Sequence, residues 1–393
     1  MRCFLVSDSI FPGGQGNNEE IMGCLKRQCG RKVLYRMKTE IIKINREQFE
    51  EEELEAAAKC LREGKLVAFP TETVYGLGGN AFDATASARI YEAKGRPSDN
   101  PLIVHIAEIK ALEELAVDVP DAAYHLADAF WPGPLTMILK KSPRVPKTTT
   151  GGLDTVAVRM PSDPIAAALI RCSGVYVAAP SANKSGRPST TKAEHVIEDL
   201  DGRVDVIIDG GAATIGLEST IVDLTGEVPL ILRPGYITAE QLAEVLGEVR
   251  FDEAVLKKSP SENVVARAPG MKYRHYAPKA PLYIVEGRNE EVIRYINAEA
   301  VKNAAEGRIT GILATEETKK CYTGGMVFCV GERANAESIA AGLFDTLRSF
   351  DETGVSVIYS ESFADNPLGT AIMNRLLKAA GYHIIRLKKD EEK

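Results

Sequence analysis

The sequence predicts an α/β protein in two unequal parts. A mixed, partly antiparallel sheet with helices spans residues 37–250, and a small, mostly parallel α/β domain spans 282–393. Three observations lead there. At roughly 150 residues per domain, 393 residues argue against one compact domain, are comfortable for two and leave room for three. Up to residue 250, apolar runs of strand length outnumber helical patterns, and many follow one another with no helix between, which favours a mixed sheet over a doubly wound one. Beyond Pro281, strands and helices alternate strictly, the order of a parallel sheet.

Residues 1–36 hold three of the seven cysteines, a Gly/Asn-rich stretch at 13–18, and six basic against three acidic side chains. Phe4-Leu5-Val6 is too short for a signal-peptide core, so this segment reads as an unstructured head or an over-extended start. Glu40–Ile44 is the first expected strand. Leu54, Ala57, Ala58 and Leu61 recur at helical spacing, and Gly64 stops that helix. Lys65–Phe69 reads as a buried strand. Further strands are expected at 101–106, 135–139, 155–159, 175–179, 204–208, 219–224 and 229–232, with helices at 84–94, 108–116, 121–130, 163–172, 191–200 and 238–246. Over 251–281 the pattern dissolves into a linker. Strands at 282–286, 309–314, 326–330, 355–359 and 383–387 then alternate with helices at 289–305, 335–350 and 367–380, the last opened by Asn366-Pro367 and closed by Gly381.

Composition excludes several function classes. Hydrophobic residues at 45% and charged residues at 26% are those of a globular protein, not a disordered or collagen-like one. No apolar run approaches the roughly 18–20 residues of a membrane span. A net charge of −7 argues against a dedicated nucleic-acid binder but not against a basic pocket for a small anion. Seven cysteines without a C-x-x-C pair, and five histidines without an H-E-x-x-H pair, point to reduced thiols, a cytoplasmic address and no metal held by the protein itself.

The densest motif is Pro70-Thr71-Glu72-Thr73-Val74-Tyr75-Gly76-Leu77-Gly78, read as a loop leaving the buried strand, where sites are usually built. Gly76, Gly78 and Ala81 fit a loose G-x-G-x-x-A, but no acidic residue follows where a dinucleotide fingerprint needs one. Lys94-Gly95-Arg96-Pro97 closes a helix; its cations suit either the helix dipole or a polyphosphate. Asn100–His105 runs into a strand, where a lone histidine is more often structural than catalytic. The chain has no G-x-x-x-x-G-K-[ST], so a bound nucleotide must be neutralised by scattered cations: Lys94, Arg96, Arg159 and Arg233. Arg159 lies within the apolar strand Thr155–Arg159, so it has a partner or a ligand. Pro180–Gly186 and Leu217–Thr220 add hydroxyls at strand edges. In the linker, Pro269–Pro278 interleaves basic and aromatic residues, as a lid over a ligand would.

Taken in order, P-T-E-T-V-Y-G-L, K-G-R-P, N-P-L-I-V-H, V-A-V-R-M-P, P-S-A-N, L-E-S-T, L-R-P-G and P-G-M-K-Y-R-H-Y-A-P resemble the threonylcarbamoyl-AMP synthase family, the YrdC-type enzymes, in its long two-domain form. The resemblance covers about 37–393 and leaves the head without a counterpart. It implies a YrdC-like twisted mixed sheet followed by a small Rossmann-like domain. It implies formation of threonylcarbamoyl-AMP and pyrophosphate from L-threonine, bicarbonate or CO2, and ATP with Mg²⁺. A downstream threonylcarbamoyl transferase complex then modifies tRNA next to the anticodon. The synthase need not hold the tRNA itself, and a weak tRNA contact is left open.

By the same resemblance, Thr73, His105, Arg159, Ala179 and Ser219 line the threonine side, and Lys94, Arg96, Asn100, Thr155, Ser181, Ser189 and Arg233 the ATP side. Lys94, Arg96 and Arg159 carry the catalytic charge, and Lys272, Tyr273, Arg274 and Tyr276 form the lid. Two other readings compete: an RNA-binding module, which the acidic total disfavours, and a carbamoyltransferase sharing the same domain, whose paired C-x-x-C zinc motifs are absent here.

Overall fold

The computed structural model describes residues 38–256, 267–269, 275–365 and 368–387. The expected head, the lid residues Lys272, Tyr273 and Arg274, and the Asn366-Pro367 helix start lie outside the described residues.

The described strands form two sheets. The larger contains β1 (Glu40–Lys43), β2 (Val67–Phe69), β3 (Gly76–Asn80), β4 (Ile103–His105), β5 (Leu135–Lys140), β6 (Thr155–Arg159), β7 (Val177–Ala179), β8 (Val206–Asp209), β9 (Thr220–Asp223), β10 (Leu230–Arg233) and β11 (Arg250–Phe251), in the order β1-β8-β2-β3-β7-β4-β6-β5-β9-β10-β11. Its pairings are mixed: β4 is parallel to β6 and antiparallel to β7, and β5 is antiparallel to β6 and parallel to β9. The smaller sheet contains β12 (Leu282–Glu286), β13 (Thr310–Ala314), β14 (Met326–Cys329), β15 (Val357–Glu361) and β16 (Ile384–Arg386), in the order β14-β13-β15-β12-β16. All its pairings are parallel, as strict alternation with helices requires.

Local chemistry sets the helix ends. Pro164–Ser173 starts where Asp163 accepts from the amides of Ile165 and Ala166, and it ends at Gly174 in the left-handed conformation. Glu55–Arg62 buries Ala57, Ala58 and Leu61, as their spacing predicts.

Three expectations need correction. Residues 76–80 are not loop but strand β3. A Cβ on Gly78 would lie 2.6 Å from Val177 Cγ1 and 2.8 Å from Phe69 Cε1, so close packing of β3 demands the glycines that mimic a loop. The expected helix at 108–116 is a 3₁₀ turn, Ile109–Ala111, followed by the short helix Leu112–Leu115. The expected linker begins with ordered elements, β11 and the helical turn Glu253–Leu256.

The core of the smaller sheet reaches into the first region. Leu282, Ile284, Leu313, Phe344 and Phe350 share one apolar cluster with Val74 and Leu217, both from the motifs singled out above. Gly216 packs so tightly on the helix Ala336–Phe350 that a Cβ would sit 2.5 Å from Ala341 Cα. From that helix the buried Arg348 donates to the Pro188 carbonyl at 2.6 Å and pairs with Asp199 at 2.8 Å.

Candidate active site

Strand register builds the wall of the site. His105 on β4 lies beside Arg159 on β6, and Ile103 beside Ala179 on β7. Side chains two apart on a strand share a face, so Ile103, His105, Arg159 and Ala179 line one cleft. Thr73, Lys94, Arg96, Ser181, Ser219, Arg233 and Tyr276 complete it, and its space to the open mouth is ≈ 690 Å³. Asn100, Thr155 and Ser189 do not line this cleft. The Asn100 amide is buried with neither atom partnered, and Ser189 stands behind the wall, donating to Glu218 Oε1 at 2.6 Å.

Arg159 answers the question its sequence position raised: it has a partner, Glu72, at 2.8 Å, with both side chains almost fully buried. Its Nη1 donates to Thr73 Oγ1 at 2.8 Å and its Nε to the Gly133 carbonyl at 3.3 Å. The ion pair runs from Arg159 Nη2 to Glu72 Oε1. Burial raises the Glu72 carboxyl, yet the Arg159 guanidinium and backbone hydrogen bonds, that of Ser162 among them, together outweigh it and hold the group below its ordinary value. Burial first, then Arg159, pushes His105 down to about 3, so the ring is neutral. Its Nδ1 lies 3.1 Å from the Ile103 carbonyl and its ring stands edge-on to Phe69.

The opposite side gathers cations. Lys94, at the C-terminus of the helix Ala84–Lys94, turns into the protein and donates to the carbonyls of Ser181 and Asn183. Burial, then Arg96, drives its amine well below the usual lysine range. Arg96 Nη2 reaches the Pro101 carbonyl at 3.2 Å. Arg233, at the end of β10, grips Ser219 through its carbonyl at 3.0 Å and its hydroxyl at 3.1 Å. The Ser219 hydroxyl also lies 2.7 Å from Thr136 Oγ1.

Tyr276 covers the cleft with a left-handed backbone (φ 64°), its ring 5.1 Å from that of Phe344. Burial and Glu218 raise its hydroxyl to about 12. Glu218 and Arg375 were not assigned from the sequence. Glu218 was visible inside L-E-S-T but carried no role. Arg375 had a usable signal, since it interrupts the apolar helical stripe Ile372, Leu376, Ala379 as Arg159 interrupts its strand.

Among the described residues, no group of three or more His, Cys, Asp or Glu is placed to hold a metal ion. Glu218, which lines the cleft, and Glu72, behind Arg159, are each taken by an arginine. The side chains therefore do not fit a magnesium cage of their own.

A family model described as "Telomere recombination" matches residues 59–235, and one described as "Threonylcarbamoyl-AMP synthase, C-terminal domain" matches 237–381. A threonylcarbamoyl-AMP synthase of Pyrococcus abyssi is 52% identical over 342 residues, covering 87% of this chain and 98% of that protein. One of Bacillus subtilis is 53% identical over 331 residues, covering 84% and 93%. A crystal structure of P. abyssi Sua5 complexed with L-threonine superposes with a TM-score of 0.84 at 51% identity, covering 89% of this chain and all of that one. The chain belongs to the threonylcarbamoyl-AMP synthase family.

Proposed function

We propose that this cleft makes L-threonylcarbamoyladenylate from L-threonine, bicarbonate or CO2, and ATP, releasing pyrophosphate, to serve threonylcarbamoyladenosine modification of tRNA. The observation that carries this reading is the meeting of four basic side chains, Lys94, Arg96, Arg159 and Arg233, with a neutral histidine in one cleft. Family membership and the threonine-bound relative support it.

The threonine carboxylate is assigned to Arg159, which lines the cleft beside Thr73 and His105. Thr73, His105 and Ser219 surround the amine end, and Ala179 contributes backbone and shape. Lys94, Arg96, Ser181 and Arg233 face the phosphates; Asn100, Thr155 and Ser189 do not line the cleft, and Ser189 acts from behind it through Glu218. Tyr276, which lines the cleft, is assigned a contact with the bound substrates. The threonine amine adds to CO2 and loses a proton, giving a carbamate. A carbamate oxygen then bonds to the α-phosphorus as the bond to the bridging oxygen of pyrophosphate breaks.

No side-chain nucleophile is needed, and His105 pairs through Nδ1 with a carbonyl rather than with a hydroxyl. Positioning and charge neutralisation supply the catalysis. Mg²⁺, when present, would be carried by the phosphates and water. The product passes to a transferase complex in the cytoplasm. That address agrees with the free thiols of Cys60, Cys172, Cys321 and Cys329, and no described helix is long and apolar enough to cross a membrane.

The test is pyrophosphate release from ATP with Mg²⁺ and bicarbonate, with and without L-threonine. Release is expected only with threonine; release at the same rate without it overturns the reading.

A further inference from the structure

We propose that Arg375, from the helix Gly369–Ala379, is a positioning residue of the cleft: it neutralises and holds Glu218 so that Arg233 keeps its place on Ser219 and its charge for the ATP phosphates. The inference rests on the ATP-side assignment of Arg233 made above.

Arg375 is fully buried, a placement that is costly for a guanidinium unless it is paired and hydrogen-bonded. Its fork spans two loops of the larger sheet. Nε donates to Glu218 Oε2 at 2.9 Å, Nη2 reaches the Glu218 carbonyl at 3.4 Å, and Nη1 donates to the Pro234 carbonyl at 2.6 Å. One side chain thus ties L-E-S-T to L-R-P-G. The two loops touch backbone to backbone, since a Cβ on Gly235 would lie 2.4 Å from the Thr220 amide nitrogen.

Arg233 and Ser219 are the residues these loops present to the cleft. Glu218 keeps its charge against burial because Arg375 first, and Arg233 second, act on it. Remove Arg375, and the load falls on Arg233, which cannot neutralise a buried carboxylate and grip a phosphate equally well. A lysine at 375 would keep the charge but could not span three acceptors.

The experiment measures kcat and both KM values in Arg375→Met, Glu218→Gln, the double variant and Arg233→Ala, and threonine affinity without ATP. Arg375→Met is expected to raise the ATP KM by about tenfold or more. Its threonine affinity is expected within about threefold of the parent, and the double variant is expected to recover most of the ATP loss. A purely structural role would weaken both substrates alike and leave the double variant unrescued, which overturns the proposal. If Arg375→Met does not fold, the double variant, with no buried charge left unpaired, is read against Glu218→Gln. ATP use within about threefold of that parent supports the proposal, and ATP use no better than in Arg233→Ala overturns it. If Arg233→Ala leaves ATP use unchanged, the site assignment falls and this inference with it. If Arg233→Ala weakens ATP use and Arg375→Met does not, the inference falls alone.

Discussion

Two buried arginine–glutamate pairs stand at the cleft, and they are built differently. Arg375–Glu218 is complete: each guanidinium nitrogen has an acceptor and each carboxylate oxygen a donor. Arg159–Glu72 is as deeply buried and equally close, but there the arginine lines the cleft and the carboxylate does not. In the other pair the order is reversed: Glu218 lines the cleft, and Arg375 stands behind it and holds loops. A guanidinium that faces the cleft can take a carboxylate ligand. Equal burial and equal charge therefore mark two jobs, and the partner that faces the cleft separates them.

The largest expected effect comes from breaking the pair whose arginine lines the cleft. Arg159→Ala is expected to raise the threonine requirement by about a hundredfold, the scale of roughly 3 kcal/mol for a charge-assisted contact, and the ATP requirement far less. Initial rates with each substrate varied check this, and an unchanged threonine dependence would break the contrast between the pairs.

Next in size are Lys94→Ala and Arg96→Ala. Each is expected to weaken ATP use by roughly 2 kcal/mol with threonine binding little changed. ATP affinity unchanged in both variants would remove the cationic side from the site.

Acid separates the two regions more gently. His105 is held near 3 against an ordinary value of 6.5. Between those values the unfolded chain binds a proton that the folded chain refuses, so stability falls as pH drops, by up to about 1.4 kcal/mol per pH unit. Glu218 is held at about 2 against 4.5, so its contribution is complete above 4.5 and is lost only as pH falls from there towards 2. Denaturant unfolding of His105→Asn is expected to show a flatter pH slope between 6.5 and 4.5. A Glu218→Gln variant is expected to change the slope only below that window. A slope unaltered in His105→Asn would contradict the neutral, buried ring.

Much of this was legible in the sequence because the informative residues speak locally. A charge inside the apolar strand Thr155–Arg159 announced a partner, and strict alternation after Pro281 announced the parallel sheet. Failures came where distant packing overrode local signal. Gly76, Gly78 and Gly79 looked like a loop because glycine usually marks one, yet Phe69 and Val177 press on Gly78 and require its missing side chain. The Glu72 partnership joins residues far apart in the chain and brought together only by the fold. Arg375 meets Glu218 across 157 positions, which no local pattern encodes, although its intrusion into an apolar stripe was there to be read.

The distinction between the pairs is tested most directly by a crystal structure with L-threonine bound. The expected result is a threonine carboxylate oxygen within hydrogen-bond distance of Arg159 Nη2, with Arg375 and Glu218 unmoved. A carboxylate seated instead on Arg233 or Lys94, with Arg159 bonded only within the protein, would contradict it.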